Sequence, residues 1–304
     1  MTLTSPKKPQ IPPFIAVDWG TSSFRAALIA HDGELLDELS EPRGILTFKP
    51  GEFASYLIST CARMAHKGGK FYLLCGMIGS KNGLMEVPYC ACPADAAQIA
   101  QRVGWVVKNK IAIVPGLRTE FDDVLRGEET QILGAAQVLG VQDALFVLPG
   151  THSKWVSYDA GRITGFNTFM TGEFYALLAQ HSILSKSIDT AAPFDQKAFL
   201  QGIEYASNSE SLLQSAFTVR VKSLFNQLTP AQAASYLSGL VIGEELLSMQ
   251  LEPDTEVIVV GSQVLQARYK TALEHFGLQV RTLGGQAAWV GLHQIYQQLA
   301  KYIT

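Results

Sequence analysis

The chain is short of cysteine, of charge and of long apolar runs, and each shortage excludes something. Four cysteines in 304 residues, Cys61, Cys75, Cys90 and Cys92, are too few and too irregularly spaced for a disulfide scaffold. Cys90-Ala91-Cys92 has no second Cys or His pair at zinc-ligand spacing, so the thiols read as reduced and mostly packed. Charged residues make up 17% with a formal net charge of -3, which leaves no broad basic face for nucleic acid but allows a local basic pocket for a small anion. Runs such as IAIVPGL and VIVVG are far too short to span a bilayer, and the opening MTLTSPKKPQIPP has no apolar core of a signal peptide. No stretch rich in Pro, Gly or Ser divides the chain. With 47% hydrophobic residues it reads as a cytoplasmic globular enzyme of two lobes, with neither nucleic acid nor membrane as partner.

Periodicity and punctuation give the elements. FIAVDWG is a near-continuous apolar strand, and SFRAALIAHDGELLDEL is a strand, an Asp32-Gly33 turn and a second strand. A helix over 50–68, a buried strand from Phe71 with a glycine-punctuated loop, a short helix near 94–103 and a core strand KIAIVPGLR follow. TEFDDVLRGEETQILGAAQVLG is an acidic entry into a helix. DALFVLPGTHSKWVSYDAGRITGF then echoes the opening stretch: an apolar strand, a Gly-Thr turn, a Ser-containing strand and a hairpin turn. Four more helices precede a strand, Gly261-Ser262, a helix and a strand, and GQAAWVGLHQIYQQLAKYI closes the chain as an amphipathic helix. The repeat suggests a flexible tail over 1–13, an N-terminal lobe over 14–120 and a C-terminal lobe over 121–304. The closing helix has a face that suits either a second chain or its own lobe.

The duplicated turn carries chemistry. Successive backbone N–H groups with small hydroxyls make a concavity for phosphate oxygens, and glycine lets the backbone approach closely. Asp18, at the mouth of the first strand, is placed to hold Mg²⁺, which favours one carboxylate together with phosphate oxygens and water. Gly20, Thr21 and Ser22 in the first turn, and Gly150, Thr151 and Ser153 in the second, are therefore candidate ATP-phosphate contacts. Gly261-Ser262, after four apolar residues, suits close approach to adenosine.

The strings VDWGTSSFRAAL, GMIGSKNGLMEVPY, DDVLRGEETQILG, LPGTHSKWV and FMTGEFYALLAQHSIL together resemble the 2-dehydro-3-deoxygalactonokinases, within the superfamily that unites actin, hexokinase and the heat-shock chaperone ATPases. The resemblance runs from about residue 14 to the C-terminus. It implies an α/β, two-lobed actin-like (ribonuclease H-like) fold, each lobe a mixed sheet flanked by helices, with ATP in the interlobe cleft. It also implies MgATP-dependent phosphorylation of 2-dehydro-3-deoxy-D-galactonate at its 6-hydroxyl, in galactonate breakdown. Relatives commonly carry an Asp in the second turn where this chain has Leu148, so Asp18 takes the metal duty and Lys154 balances the phosphate charge.

Phosphoryl transfer also needs a positioned base. Glu128 stands where such kinases place a carboxylate, with Glu129 and Asp123 in reserve. A sugar acid needs a cation for its carboxylate; Arg118, after a core strand, and Arg25, on the hairpin, are the candidates, with Ser80 and Asn82 of the MIGSKNG loop for sugar hydroxyls. Two other readings stay open: a kinase for a related acid such as 2-dehydro-3-deoxygluconate, and a non-catalytic sensor of sugar or nucleotide.

Overall fold

The computed structural model describes residues 12–303, so most of the expected N-terminal tail lies outside it. Two compact units emerge: unit 1 takes Met1–Asp143, Ser157–Phe166 and Gly285–Thr304, and unit 2 takes Ala144–Val156 and Asn167–Gly284.

Unit 1 is built on β1 (Phe14–Trp19), β2 (Phe24–Ile29) and β3 (Leu35–Glu41). Five of the six β1 residues are buried, which is why its sequence is apolar but for Asp18 rather than alternating. β3, half-exposed at the sheet edge, tolerates charge at Asp37, Glu38 and Glu41. The expected long helix is two, α1 (Phe53–Thr60) and α2 (Ala62–His66), broken at Cys61, which leaves helical geometry. Then come β4 (Phe71–Cys75), a short 3-10 turn at Met77–Gly79, β5 (Cys90–Ala91), α3 (Ala96–Ala100), β6 (Gly104–Val107) and β7 (Ile111–Ile113). β8 (Leu117–Arg118) and β9 (Val124–Leu125) form a small sheet with β5, and α4 (Glu128–Leu139) ends at the left-handed Gly140. The main sheet runs β3-β2-β1-β4-β7-β6, with β1, β4 and β7 parallel and both flanks antiparallel.

The second sheet repeats that plan. Its strands are β10 (Ala144–Leu148), β11 (Ser153–Asp159), β12 (Arg162–Phe169), β13 (Glu256–Gly261) and β14 (Gln279–Gly284), in the order β12-β11-β10-β13-β14. A hairpin pair stands outermost, and β10, β13 and β14 run parallel. The echo between the two Gly-Thr stretches is therefore an echo of topology. α5 (Thr171–His181), α6 (Gln196–Ser207), α7 (Leu212–Leu224), α8 (Pro230–Ser248) and α9 (Gln263–His275) complete unit 2. α8 starts on a capping box, Thr229 with Gln232, and carries Pro at its first turn. Among the described residues no helix is long and apolar enough to cross a membrane.

The closing helix α10 (Ala287–Leu299) is buried within unit 1, with Trp289, Leu292, Ile295 and Tyr296 each 4% exposed or less. It lies so close to α4 that a Cβ on Gly134 would come 1.8 Å from Ala287 O, and one on Gly291 1.8 Å from Thr130 O. This packing places α4 in unit 1, whereas the boundary expected at 120/121 puts it in the other lobe. Unit 2 uses the same device, Gly202 of α6 against Gly239 of α8. Gly291→Ala overpacks the crossing, at about 1–3 kcal/mol, and is expected to lower the melting temperature by about 3–10 °C. Gly165→Ala is the control, since nothing lies within 4 Å of its would-be Cβ; calorimetry of both variants checks this.

Candidate active site

In unit 1 the ends of β1 and β4 meet the start of α4. Asp18 is in register with Arg25 on β2 and Cys75 on β4. The backbone around it is glycine for steric reasons. Gly76 has φ +90°, and a Cβ there would reach 2.8 Å from Trp19 O and 3.3 Å from Asp18 Oδ1. Gly127 has φ +108°, and its Cβ would come 3.2 Å from Gly76 Cα. Side chains at either position would push the strand ends and the helix start apart.

Beyond Asp18 the chain turns tightly, with Gly20 N donating to Ser23 O at 2.9 Å. Ile45 N braces the turn from behind by donating to Gly20 O at 3.0 Å. Thr21 and Ser22 are left exposed. Asp18 Oδ2 accepts from Arg25 Nη2 in a short, half-buried ion pair. The guanidinium also reaches Gly285 O at 3.5 Å and lies 5.3 Å from the centre of the Trp289 ring. Burial disfavours its charge, but Asp18 more than compensates, and the Arg25 pKa is raised.

The two glutamates at the head of α4 have different surroundings. Glu128 is half-buried and its Oε2 accepts from Arg126 N at 2.8 Å. Glu129 is 0% exposed; its Oε2 accepts from Gly127 N at 2.7 Å, while Oε1 has no partner. Burial, and then the charge of Glu128, push its pKa up to about 8. The folded state thus holds a proton that the unfolded chain releases near its ordinary 4.5. Stability is then fully present below about pH 4.5 and falls as pH rises toward 8, with a slope of up to about 1.4 kcal/mol per pH unit. Glu129→Gln, neutral throughout, is expected to flatten the decline between pH 5 and 8 in denaturant titrations.

The remaining unit 1 candidates are spread out. Ser80 follows the Met77–Gly79 turn, and its hydroxyl is buried without a partner. Asn82 is exposed on the same loop. Arg118 is exposed on β8 and lines an open pocket of about 550 Å³ beside Glu120, Asp122 and Asp123.

In unit 2 the second turn is braced by α5. A Cβ on Gly172 would come 2.3 Å from Gly150 O, and Glu173 N donates to Thr151 O at 2.9 Å. Thr151 is exposed, but Ser153 is 0% exposed. The Ser153 hydroxyl donates to Glu245 Oε1 at 2.8 Å, so only its backbone can address a ligand. Glu245, 2% exposed on α8, also accepts from Trp155 Nε1 and Tyr269 OH, each at 2.7 Å, and from Thr171 Oγ1. Burial raises its pKa against the pull of these four donors. The network ties β11, α5, α8 and α9 together behind the turn. Lys154, 7% exposed, donates from Nζ to Thr168 Oγ1 at 2.7 Å.

Gly261 closes β13 beside Pro149, and exposed Ser262 caps α9 through Leu265 N. Between α8 and α9 lies a narrow pocket of about 60 Å³ whose lining includes Gly150, Tyr175, Leu265 and Arg268. Arg268 Nε has no partner, and its guanidinium lies 5.2 Å from the centre of the Phe194 ring. Sequence reasoning missed this pocket and the Glu245 network. The signals available were an arginine less than two turns past Gly-Ser, and a glutamate inside the apolar run of α8.

Two units with one strand plan, each with a Gly-Thr turn after its first strand, give the chain the α/β fold of a sugar-acid kinase. Within that class, the chain belongs to the 2-keto-3-deoxy-galactonokinase family, whose model matches residues 18–295. It is 33% identical over 293 residues to the 2-dehydro-3-deoxygalactonokinase of Escherichia coli (strain K12), covering 94% of this chain and 98% of that one. A Rhizobium meliloti (strain 1021) protein named as a candidate for the same enzyme is 38% identical over 285 residues, covering 90% and 93%. The crystal structure of a Sinorhizobium meliloti candidate 2-dehydro-3-deoxygalactonokinase superposes with a TM-score of 0.83 at 37% identity, covering 95% and 99%. Component A of the (R)-2-hydroxyglutaryl-CoA dehydratase of Acidaminococcus fermentans shares the fold alone, with a TM-score of 0.53 at 13% identity and coverage of 95% and 99%.

Proposed function

We propose that the chain transfers the γ-phosphoryl group of ATP to the 6-hydroxyl of 2-dehydro-3-deoxy-D-galactonate, in the cytoplasm, with Mg²⁺ as the nucleotide's companion. The observation that carries this reading is the meeting of Asp18, Gly76, Gly127 and Glu128 at the strand ends of unit 1, in a chain of this family. A carboxylate for metal and a carboxylate for the nucleophile's proton are then carried on adjoining elements, with glycine backbone between them.

Thr21 and Ser22 offer backbone N–H groups and exposed hydroxyls to phosphate oxygens, and Gly20, its own N–H engaged by Ser23 O, lets the backbone come close to them. Gly150, Thr151 and the backbone of Ser153 do the same from unit 2, and Lys154 supplies positive charge. Gly261 and Ser262 receive adenosine, and the narrow pocket with Tyr175, Leu265 and Arg268 extends that site. Glu128 takes the 6-hydroxyl proton; it is reachable, whereas Glu129 is closed off. Ser80 and Asn82 serve the sugar.

Asp18 fits Mg²⁺: one carboxylate oxygen is engaged by Arg25, and the other faces the glycine backbone of Gly76. A single carboxylate suits an ion that keeps its waters and its phosphate ligands. Among the described residues no cluster of three or more His, Cys, Asp or Glu could hold a metal by itself. When bound, it would draw charge from the transferring phosphate.

ADP release is the test, followed with 2-dehydro-3-deoxygalactonate, 2-dehydro-3-deoxygluconate, galactose and no sugar. Turnover confined to the first supports the reading. Equal use of both acids would move the substrate to the class of 2-dehydro-3-deoxy acids, and nucleotide binding without turnover on any of them would favour a sensor.

A further inference from the structure

The carboxylate of a sugar acid needs a cation, and neither arginine singled out in the sequence is well placed to supply it. Arg25 is engaged by Asp18, Gly285 O and the Trp289 ring. Arg118 is exposed among Glu120, Asp122 and Asp123, whose charges repel an anionic ligand. Arg126 is different. It immediately precedes Gly127, and its guanidinium lies 4.3 Å from the centre of the Tyr89 ring. Nη2 donates to Val87 O at 2.9 Å. Nη1 lies so close to Gly79 that a Cβ there would come within 2.8 Å of it. Nε and Nη1 are buried and have no hydrogen-bond partner. Ser80, next to Gly79, also has a buried hydroxyl without a partner.

Three unanswered polar atoms, two on a guanidinium and one on a hydroxyl, flank Gly79. Buried donors are rarely left so, and a site holding several of them is short of an acceptor. A carboxylate brings about four lone-pair sites and a negative charge to a guanidinium that still has donors to give. A guanidinium fixed on an aromatic face and tied at one nitrogen is already oriented to receive it.

We propose that Arg126 and Ser80 form the seat of the substrate's carboxylate. The inference rests on the kinase reading. It places the acid end of the ligand at Arg126 and the reacting hydroxyl at Glu128, on either side of Gly127. The buried nitrogens are closed to solvent, so entry shifts the Ser80–Gly83 turn, which Gly83 N closes on Ser80 O at 2.9 Å.

The experiment compares 2-dehydro-3-deoxygalactonate with its methyl ester, a neutral ligand larger by one methyl group, in the wild type and in Arg126→Gln, Arg126→Lys and Ser80→Ala. The wild type is expected to prefer the acid in kcat/KM by on the order of 10- to 100-fold, the worth of a charge-assisted hydrogen bond. Arg126→Gln should reduce that preference to within about 3-fold through a raised KM for the acid, with use of the ester little changed. Arg126→Lys should lie between, and Ser80→Ala should narrow the preference less. An unchanged acid-to-ester ratio in Arg126→Gln overturns the proposal and leaves the orphaned atoms to water. Should Arg126→Gln fail to fold, an unchanged ratio in Ser80→Ala overturns it equally. Wild-type enzyme that turns over neither ligand would sink the kinase reading itself, an outcome distinct from both.

Discussion

Replacing Glu128 by Gln is expected to lower kcat by about 10²–10⁴-fold, the usual worth of a positioned general base, while leaving the KM values for ATP and sugar acid within a few-fold. Glutamine keeps the size of the side chain and can still accept from Arg126 N, the contact that folds Glu128 back over the head of α4. What it loses is the capacity to take a proton as the substrate oxygen attacks. Steady-state assays with coupled ADP detection resolve kcat from KM, and the split is the informative part. A large rise in KM with kcat intact would make Glu128 a binding group and transfer the base role elsewhere. Glu129, buried and held largely protonated up to about pH 8, would be a poor replacement at neutral pH. Its ionisation on mild alkalinisation should bring no recovery, because burial keeps its carboxylate from the substrate hydroxyl.

Asp18→Asn is the second large effect, expected at about 10²–10³-fold in kcat, comparable with removing one preorganised electrostatic group from a transition state. Two consequences separate it from a folding defect. Saturation by Mg²⁺ should move to higher concentration, because an amide oxygen is a weaker ligand than a carboxylate. Metal-free ATP should bind more tightly than it does to the wild type, because Arg25 loses the carboxylate that now neutralises it and turns its charge toward the phosphates. Calorimetric titration with ATP in chelator measures this directly. Weaker metal-free binding would mean that Arg25 does not face the nucleotide.

Much of the architecture was legible because its punctuation is local. Asp32-Gly33 and Ala160-Gly161 turn the two hairpins, Pro230 opens α8, and β1 is apolar up to Asp18 because it is buried between neighbours. β6 escaped notice because only four residues form it; its turn was marked by Asn109, which adopts φ 57°. β5, β8 and β9, two residues each, are too short for any period. The place of α10 depends on Gly291 meeting Thr130, a fact of three dimensions that no window of sequence contains. Within the candidate site, the carboxylates and glycines announced themselves by type and spacing. Arg126, adjacent to the motif, was passed over because its distinction is what it lacks, a partner for two of its nitrogens. Ser153 shows the converse: its type suited phosphate, and Glu245 holds the hydroxyl instead.

The stacking of Arg25 on Trp289 gives the molecule an optical signal of its own. The indole nitrogen is held by Glu38 at 2.9 Å while a guanidinium charge lies 5.3 Å from the ring centre. Emission from an indole responds to nearby charge, so whatever draws Arg25 or Asp18 toward a ligand changes the brightness or colour of this tryptophan. Binding at the phosphate turn can thus be followed in real time by stopped-flow spectroscopy on unlabelled protein, with Trp289→Phe, which keeps the other three tryptophans, as the reference that isolates this indole's share.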